Sequence, residues 1–155
     1  MKSRYQTFSA IVCLLIAAGF MSVGYLVAPV LFSELGQKQA GQIAAVLFNQ
    51  LSLIALIGMA LVLTVMLVFE KQLKHVKSLL LSFVLLLTLK FWISPWMADI
   101  KERYPQGLDY ASADWQLFAS LHGIYQLLYL IVVSLLLYWS IKTLLTQSKS
   151  VVNQD

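Results

Sequence analysis

Charged residues and cysteines are scarce in this sequence, and each shortage excludes a class of protein. Only 12% of the 155 residues are charged, whereas 60% are hydrophobic. A soluble domain carries about 25% charged residues, so this composition excludes an ordinary soluble protein and is typical of a membrane protein. The single cysteine, Cys13, excludes an internal disulfide and a metal site built from clustered cysteines.

Recognised signatures of nucleic-acid binding and of catalysis are also missing. The 11 lysines and arginines are scattered over short loops and form no basic face with interleaved aromatics, so we expect no nucleic-acid partner. The sequence contains no phosphate-binding loop, no His-Glu-x-x-His and no nucleophile elbow. It therefore favours a non-enzymatic role, and it predicts no catalytic residue and no metal site.

Four stretches reach the length of about 20 mainly apolar residues that a membrane-spanning helix needs. They are residues 8–30, 43–69, 76–93 and 117–141. Because a bilayer leaves backbone groups no water to pair with, each stretch is expected to be helical. Short connections predict one all-α membrane domain, an antiparallel up-down-up-down four-helix bundle, with a flexible tail at 146–155. No cleavage site follows the first stretch, so it is expected to be a retained helix.

The basic residues are distributed unevenly between the two ends of the predicted bundle. Seven of them fall on the side of the termini: Lys2, Arg4, Lys71, Lys74, Lys77, Lys142 and Lys149. Three fall on the other side, namely Lys38, Lys101 and Arg103. The positive-inside rule then predicts a multi-pass protein of the cell membrane, a bacterial inner membrane, with both termini in the cytoplasm.

Polar side chains within the apolar stretches gather toward the predicted outer ends. The candidates for a pocket are His122, Lys90, Asn49, Gln50, Gln126, Tyr125 and Tyr129. Those in the last stretch recur every three or four residues and so share one helix face. Ionisable groups at membrane depth are costly, which makes a functional site the default hypothesis for them. The sequence therefore predicts an outward-facing polar pocket above an apolar half.

Each of these residues also has a purely structural interpretation. Lys90 could extend to the headgroups, and His122 could be a neutral histidine hydrogen-bonded inside the bundle. Asn49 and Gln50 more often join helices than bind ligands. His122 is in addition a weak candidate for a haem ligand, but His75 lies at the opposite end and cannot share a site with it. No cofactor is predicted, with haem kept as a low-ranking alternative.

A series of short motifs runs in order from the end of the first stretch to the start of the fourth. Its residues are Ala28, Pro29, Leu31, Phe32, Ala40, Gly41, Leu47, Phe48, Pro95, Met97, Phe118 and His122. The series resembles the family described as domain of unknown function 4149, the transmembrane-protein-205-like group of small four-helix membrane proteins. The resemblance implies structural roles for Pro29, Phe32, Gly41, Phe48, Pro95, Met97 and Phe118. Asn49 and Gln50 depart from it, since the family often has Pro and Tyr there.

Three functions remain open at this point. The first is an accessory membrane protein whose outward-facing pocket binds a small ligand, a lipid or a partner protein. The second is a small-solute or drug-resistance transporter acting as a homo-oligomer, which the resemblance suggests because a eukaryotic relative is associated with resistance to platinum drugs. The third is a haem-binding or redox protein that uses His122. The lipid bilayer is the one partner common to all three.

Overall fold

The computed structural model describes residues 2–70, 76–104 and 111–152, and side chains within 4–69, 76–104 and 111–148. Within these ranges the chain is helical apart from brief connections, and it forms no strand. Four helical stretches are long and apolar enough to cross a membrane. They are span 1, Arg4–Glu34; span 2, Gln37–Phe69; span 3, Lys77–Glu102; and span 4, Ala113–Ser148.

Two of the four spans contain a π-helical turn between two α-helices. Span 1 comprises α1 (Lys2–Ser22), a π turn (Val23–Val27) and α2 (Ala28–Glu34). Span 2 is α3 (Gln37–Glu70), span 3 comprises α4 (Lys77–Thr88), a π turn (Leu89–Ile93) and α5 (Ser94–Glu102), and span 4 lies in α6 (Ala113–Val152). Spans 1 and 3 each pack against spans 2 and 4, in a ring. The predicted all-α four-helix membrane fold is confirmed.

Each span packs through one face and leaves the opposite face exposed. In α1 the fully buried residues are Ala10, Cys13, Ala17 and Phe20, which recur every three or four positions. The other spans contribute Ala55, Met59, Val62, Met66, Leu79, Leu86, Leu89, Val132, Val133 and Leu136 to the same core. Large apolar side chains cover the outside of the bundle. Such a surface suits hydrocarbon, where close packing rather than water exclusion holds helices together.

The two π turns lie directly before the prolines of spans 1 and 3. Pro29 and Pro95 are each the second residue of the α-helix that follows a π turn. Proline has no N–H, and its ring clashes with the carbonyl four residues earlier. The chain adapts by pairing Ala28 N–H with the Val23 carbonyl and Ser94 N–H with the Leu89 carbonyl, five residues back. Helical pairing therefore continues past each proline.

This continuation corrects the expected ends of the first and third helices. From the sequence, the two helices are expected to end at residues 30 and 93, but in the structure they continue to Glu34 and Glu102. What was expected to be a loop of about ten residues after the first helix reduces to a short connection before Gln37. The physical reason is that a membrane helix gains by keeping its backbone paired, and a π turn does so at a proline.

The start of the fourth helix and the end of the chain also differ from expectation. α6 begins at Ala113, where the Ser112 hydroxyl accepts a hydrogen bond from Trp115 N–H at 3.1 Å. This is the usual N-cap arrangement, in which a short polar side chain satisfies a free helical N–H. The helix continues through Val152, where a flexible tail from 146 was expected. Residues 71–75, with His75, and 105–110 lie outside the described residues.

Gly24 and Lys90 occupy the same position in the two π turns, the second residue of each. A β-carbon built on Gly24 would lie 3.3 Å from the hydroxyl oxygen of Tyr129 in span 4. Lys90 extends its amine to Asn49 in span 2. At each kink, therefore, a polar side chain joins the span that contains the proline to a neighbouring span.

Replacing Gly24 with leucine is expected to destabilise the bundle. The added side chain must displace the Tyr129 ring, whose Cε1 atom would be 3.4 Å from the β-carbon. Overpacking of this kind costs about 1–3 kcal/mol, so the midpoint of thermal unfolding in detergent should fall. Gly123→Leu is the matched control, because a β-carbon there meets no atom within 4 Å. Equal midpoints for the two variants would contradict this account of the kink.

Candidate functional site

The seven predicted pocket residues fall into three groups rather than one. Lys90 and Asn49 form a pair between spans 3 and 2, with Gln50 exposed beside them. His122 and Gln126 form an exposed pair within span 4, with their Nε2 atoms 3.0 Å apart. Tyr125 and Tyr129 turn toward the interior and belong to an aromatic cluster. The shared pocket thus stays a prediction, and the geometry separates its members.

Four aromatic side chains meet in the middle of the bundle, and we call them the aromatic cluster: Phe20, Phe48, Tyr125 and Tyr129. The Tyr129 ring lies edge-on to Phe20 at 5.1 Å and to Phe48 at 5.4 Å between ring centroids. Its hydroxyl donates a hydrogen bond to the Phe20 carbonyl. Tyr125 lies 6.3 Å from Tyr129 and 6.5 Å from Phe48. Spans 1, 2 and 4 therefore join where the sequence predicted a polar cavity.

The Lys90 amine is directed to span 2 rather than away from the protein. Its Nζ atom donates to the side-chain oxygen of Asn49 and, at 3.2 Å, to the Asn49 backbone carbonyl. The same atom lies 6.0 Å from the centroid of the Phe91 ring. A cation within a membrane span is expensive unless polar groups surround it. Asn49 supplies two acceptors, which favours the structural interpretation of this pair as a link between helices.

The structure adds Lys101, which lies in α5 although the third predicted stretch ends at residue 93. Its Nζ atom lies 5.2 Å from the centroid of the Phe118 ring, which stacks on His122 at 5.9 Å. A β-carbon built on Gly41 would lie 3.8 Å from this Nζ atom and 4.0 Å from Cζ of Phe32. We call these five residues, Phe32, Gly41, Lys101, Phe118 and His122, the Lys101 cluster. All four spans contribute to it.

The position of Lys101 follows from the continuation of span 3 past Pro95. The apolar residues Ile93, Met97 and Ile100 recur every three or four positions, and Ile100 is only 1% exposed. This period is the signal that sequence reasoning could have used, because it continues the helix across the proline. Treating Pro95 as a helix end placed Lys101 in the loop instead.

Polar contacts join the end of span 3, just beyond Lys101, to the start of span 4. The Asp114 carboxylate accepts hydrogen bonds from Arg103 Nη1 at 3.2 Å and from the Tyr104 hydroxyl at 2.7 Å. The hydrogen bond to this carboxylate, followed by burial, raises the pKa of Tyr104. Arg103 also contacts Asp99 at 3.7 Å. These contacts tie the end of span 3 to the start of span 4, next to Phe118.

Two shallow grooves on the described surface are lined neither by the Lys90–Asn49 pair nor by the His122–Gln126 pair. One is lined by Trp92, Pro95, Trp96 and Asp99 on span 3. The other is lined by Tyr138, Ile141, Lys142, Leu145 and Thr146 on span 4. The exposed tryptophans in the first groove are typical of a membrane–water interface. Lys101 lies five residues beyond Trp96, at the same end of span 3.

The model of a protein family matches residues 13–106, more than half of the chain, and the family is described as a domain of unknown function (DUF4149). The chain belongs to this family. The match extends from α1 to just beyond α5 and includes Lys101. Searches of curated proteins and of solved structures found no match.

The motif residues that carried the DUF4149 resemblance occupy four places in the fold. Pro29 and Pro95 follow the π turns, and Phe48 belongs to the aromatic cluster. Gly41 and Phe118 lie next to the amine of Lys101, and Phe32 lies beside Gly41. Met97 packs half-buried against the core. Most of the motif residues therefore lie near the two π turns or near the end of the bundle that contains Lys101.

Asn49 and Lys90 are expected to be energetically coupled. Polar contacts between membrane helices contribute about 0.6 kcal/mol on average and up to about 1.7 kcal/mol. A double-mutant cycle with Asn49→Leu and Lys90→Met should therefore give a favourable coupling of about 0.5–2 kcal/mol in reversible unfolding in mixed micelles. The control cycle replaces the exposed neighbour, with Gln50→Leu and Lys90→Met. Equal coupling in both cycles would show that Lys90 has no specific acceptor.

Proposed function

We propose that this DUF4149 protein is an accessory membrane protein whose Lys101 cluster binds a small ligand or a partner at the extracytoplasmic surface. The observation that carries the proposal is that the Lys101 amine of span 3 lies beside the Phe118 ring of span 4 and next to Gly41 of span 2, which in turn lies beside Phe32 of span 1. Loops and helix ends on a rigid bundle are common positions for binding groups. The exposed edges of Phe32 and His122 keep the cluster accessible from outside the bundle.

The packing beneath the cluster supports binding rather than conduction. The aromatic cluster occupies the interior at the level of Tyr125 and Tyr129. Beyond it, the described core is mainly apolar, with Met59, Leu86 and Val132 fully buried. Its buried polar side chains are serines: Ser9, Ser52, Ser82 and Ser140. A transport path is usually lined by polar or ionisable groups, or by interrupted helices that offer backbone groups to the solute. This filled interior favours a site that opens to one side.

The orientation that we propose places the termini in the cytoplasm of a bacterium and the Lys101 cluster outside. The distribution of basic residues supports it, with seven at the end of the termini and three at the other. At the end of the termini, the exposed residues Lys77 and Lys142 flank the spans. Trp92 and Trp96 flank them at the other end.

Cysteine labelling in intact cells tests this orientation. Cys13 is the only cysteine of the chain and is buried, so it should not react. Cysteine introduced as Gly36→Cys, at an exposed position between spans 1 and 2, should react with a membrane-impermeant maleimide. Ser148→Cys, exposed at the other end, should react only after the cells are opened. The reverse pattern would overturn the orientation.

Filling the space at Gly41 tests the binding function. A leucine side chain there would begin at a β-carbon 3.8 Å from the Lys101 amine and 4.0 Å from Cζ of Phe32, and would crowd both. Native mass spectrometry of wild-type protein should detect co-purified molecules whose occupancy falls at least several-fold in Gly41→Leu. Gly123→Leu, the helical glycine with open surroundings, should keep wild-type occupancy. Unchanged occupancy in a folded Gly41→Leu protein would contradict binding at this cluster.

A further inference from the structure

We infer that the ligand of the Lys101 cluster carries an anionic group, a phosphate or a carboxylate, which pairs with the Lys101 amine. This inference rests on the proposed function, because it names the chemistry of the ligand at the same site. The anion has two possible sources, the headgroup of an anionic lipid or a soluble phosphate or carboxylate compound.

The first support is that two of the nearby carboxylates, Asp99 and Asp114, already contact another basic residue. Asp99 and Asp114 both contact Arg103, two residues beyond Lys101. Among the side chains that the structure describes, no carboxylate lies within salt-bridge distance of Lys101. The amine instead faces the Phe118 ring, which attracts a cation but leaves its charge unneutralised. An external anion would supply the missing charge.

The second support is the space around the amine. Gly41 has no side chain, and its missing β-carbon would be in ordinary contact with the amine at 3.8 Å. The amine therefore lies beside bare backbone on one side and an aromatic ring on another. Phe118 provides an apolar surface beside the amine, and Phe32 provides another beside Gly41. This arrangement suits a ligand whose anionic group is attached to an apolar body.

The third support is a possible second donor on span 4. The His122 ring stacks on Phe118 at 5.9 Å, and the Lys101 amine lies 5.2 Å from the centroid of the same Phe118 ring. When Gln126 Nε2 donates to His122 Nε2, the proton of the neutral ring lies on Nδ1. That leaves one ring N–H available to an acceptor. A phosphate or carboxylate has several acceptor oxygens and can bind the amine and the ring together.

Native mass spectrometry in an uncharged maltoside detergent tests the lipid source. The probes are dioleoyl-phosphatidylglycerol, which carries a phosphate, and dioleoylglycerol, which has the same acyl chains without it. Wild-type protein should bind the first at least ten-fold more tightly than the second. Lys101→Gln should abolish this preference, and Lys101→Arg should keep most of it because the positive charge remains.

Thermal unfolding in the same detergent tests the soluble source. Inorganic phosphate or acetate at millimolar concentration should raise the unfolding midpoint of the wild-type protein and not that of Lys101→Gln. The rise should shrink as sodium chloride is added, because salt screens the charge pair. A rise with these anions together with no phosphatidylglycerol preference assigns the site to soluble anions. A preference for phosphatidylglycerol together with no rise in the midpoint assigns the site to a lipid headgroup.

Lys142→Gln is the matched control for charge. Lys142 lies 5.4 Å from the centroid of the Tyr138 ring at the other end of the bundle, a contact like that of Lys101 with Phe118. An equal loss of anion binding in the Lys142→Gln and Lys101→Gln proteins would overturn the inference. So would the absence of any response to phosphate, acetate and phosphatidylglycerol in the wild-type protein.

The two proposals fail in distinguishable ways. If Gly41→Leu removes a co-purified molecule that Lys101→Gln retains, the binding site stands and its ligand is not recognised by charge. That result overturns only the anionic inference. Both proposals fall if Gly41→Leu leaves the occupancy of the co-purified molecule unchanged and Lys101→Gln leaves the binding of phosphatidylglycerol, phosphate and acetate unchanged.

Discussion

A bilayer offers no water to a carbonyl that loses its helical partner, and this constraint decides the course of spans 1 and 3. Each span meets a proline, and each keeps its backbone paired by inserting a π turn before it. Because the helices then continue, Phe32 and Lys101 lie on helical faces instead of in loops. The Lys101 cluster depends on this, since two of its members, Phe32 and Lys101, come from the helical segments beyond Pro29 and Pro95.

The two π turns also place different side chains at equivalent positions. In the first turn, Gly24 lies against the Tyr129 hydroxyl, and in the second, Lys90 reaches Asn49. Both contacts join the span that contains the π turn to a neighbouring span. Gly24 has no side chain and so leaves room for Tyr129, whereas the long side chain of Lys90 reaches Asn49. The sequence shows no repeat because the residues differ, yet spans 1 and 3 share the same construction. A π turn redirects the residues around it, which explains its frequent use at functional positions.

The four spans could be predicted from the sequence because hydrophobic length alone specifies them. The grouping of the polar residues could not. His122, Gln126, Tyr125 and Tyr129 share one broad face of α6, but packing divides that face into an exposed strip and a buried strip. Helical spacing does not distinguish the two strips, since both lie within one wide arc. Lys101 was missed because a proline was read as a helix end, although the apolar period from Ile93 to Ile100 crosses it.

The division of labour between Lys101 and Arg103 connects the fold to the proposed site. The planar guanidinium of Arg103 suits contacts with more than one carboxylate, and it holds Asp99 and Asp114 at the junction of spans 3 and 4. That junction lies directly after α5, the helix that contains Lys101. The lysine amine is a compact cation on a flexible stem, and Phe118 and Gly41 leave it accessible. Arg103 thus contacts two nearby carboxylates at the end of the bundle, while Lys101 contacts none that the structure describes, which is why we propose that an anion from outside pairs with it.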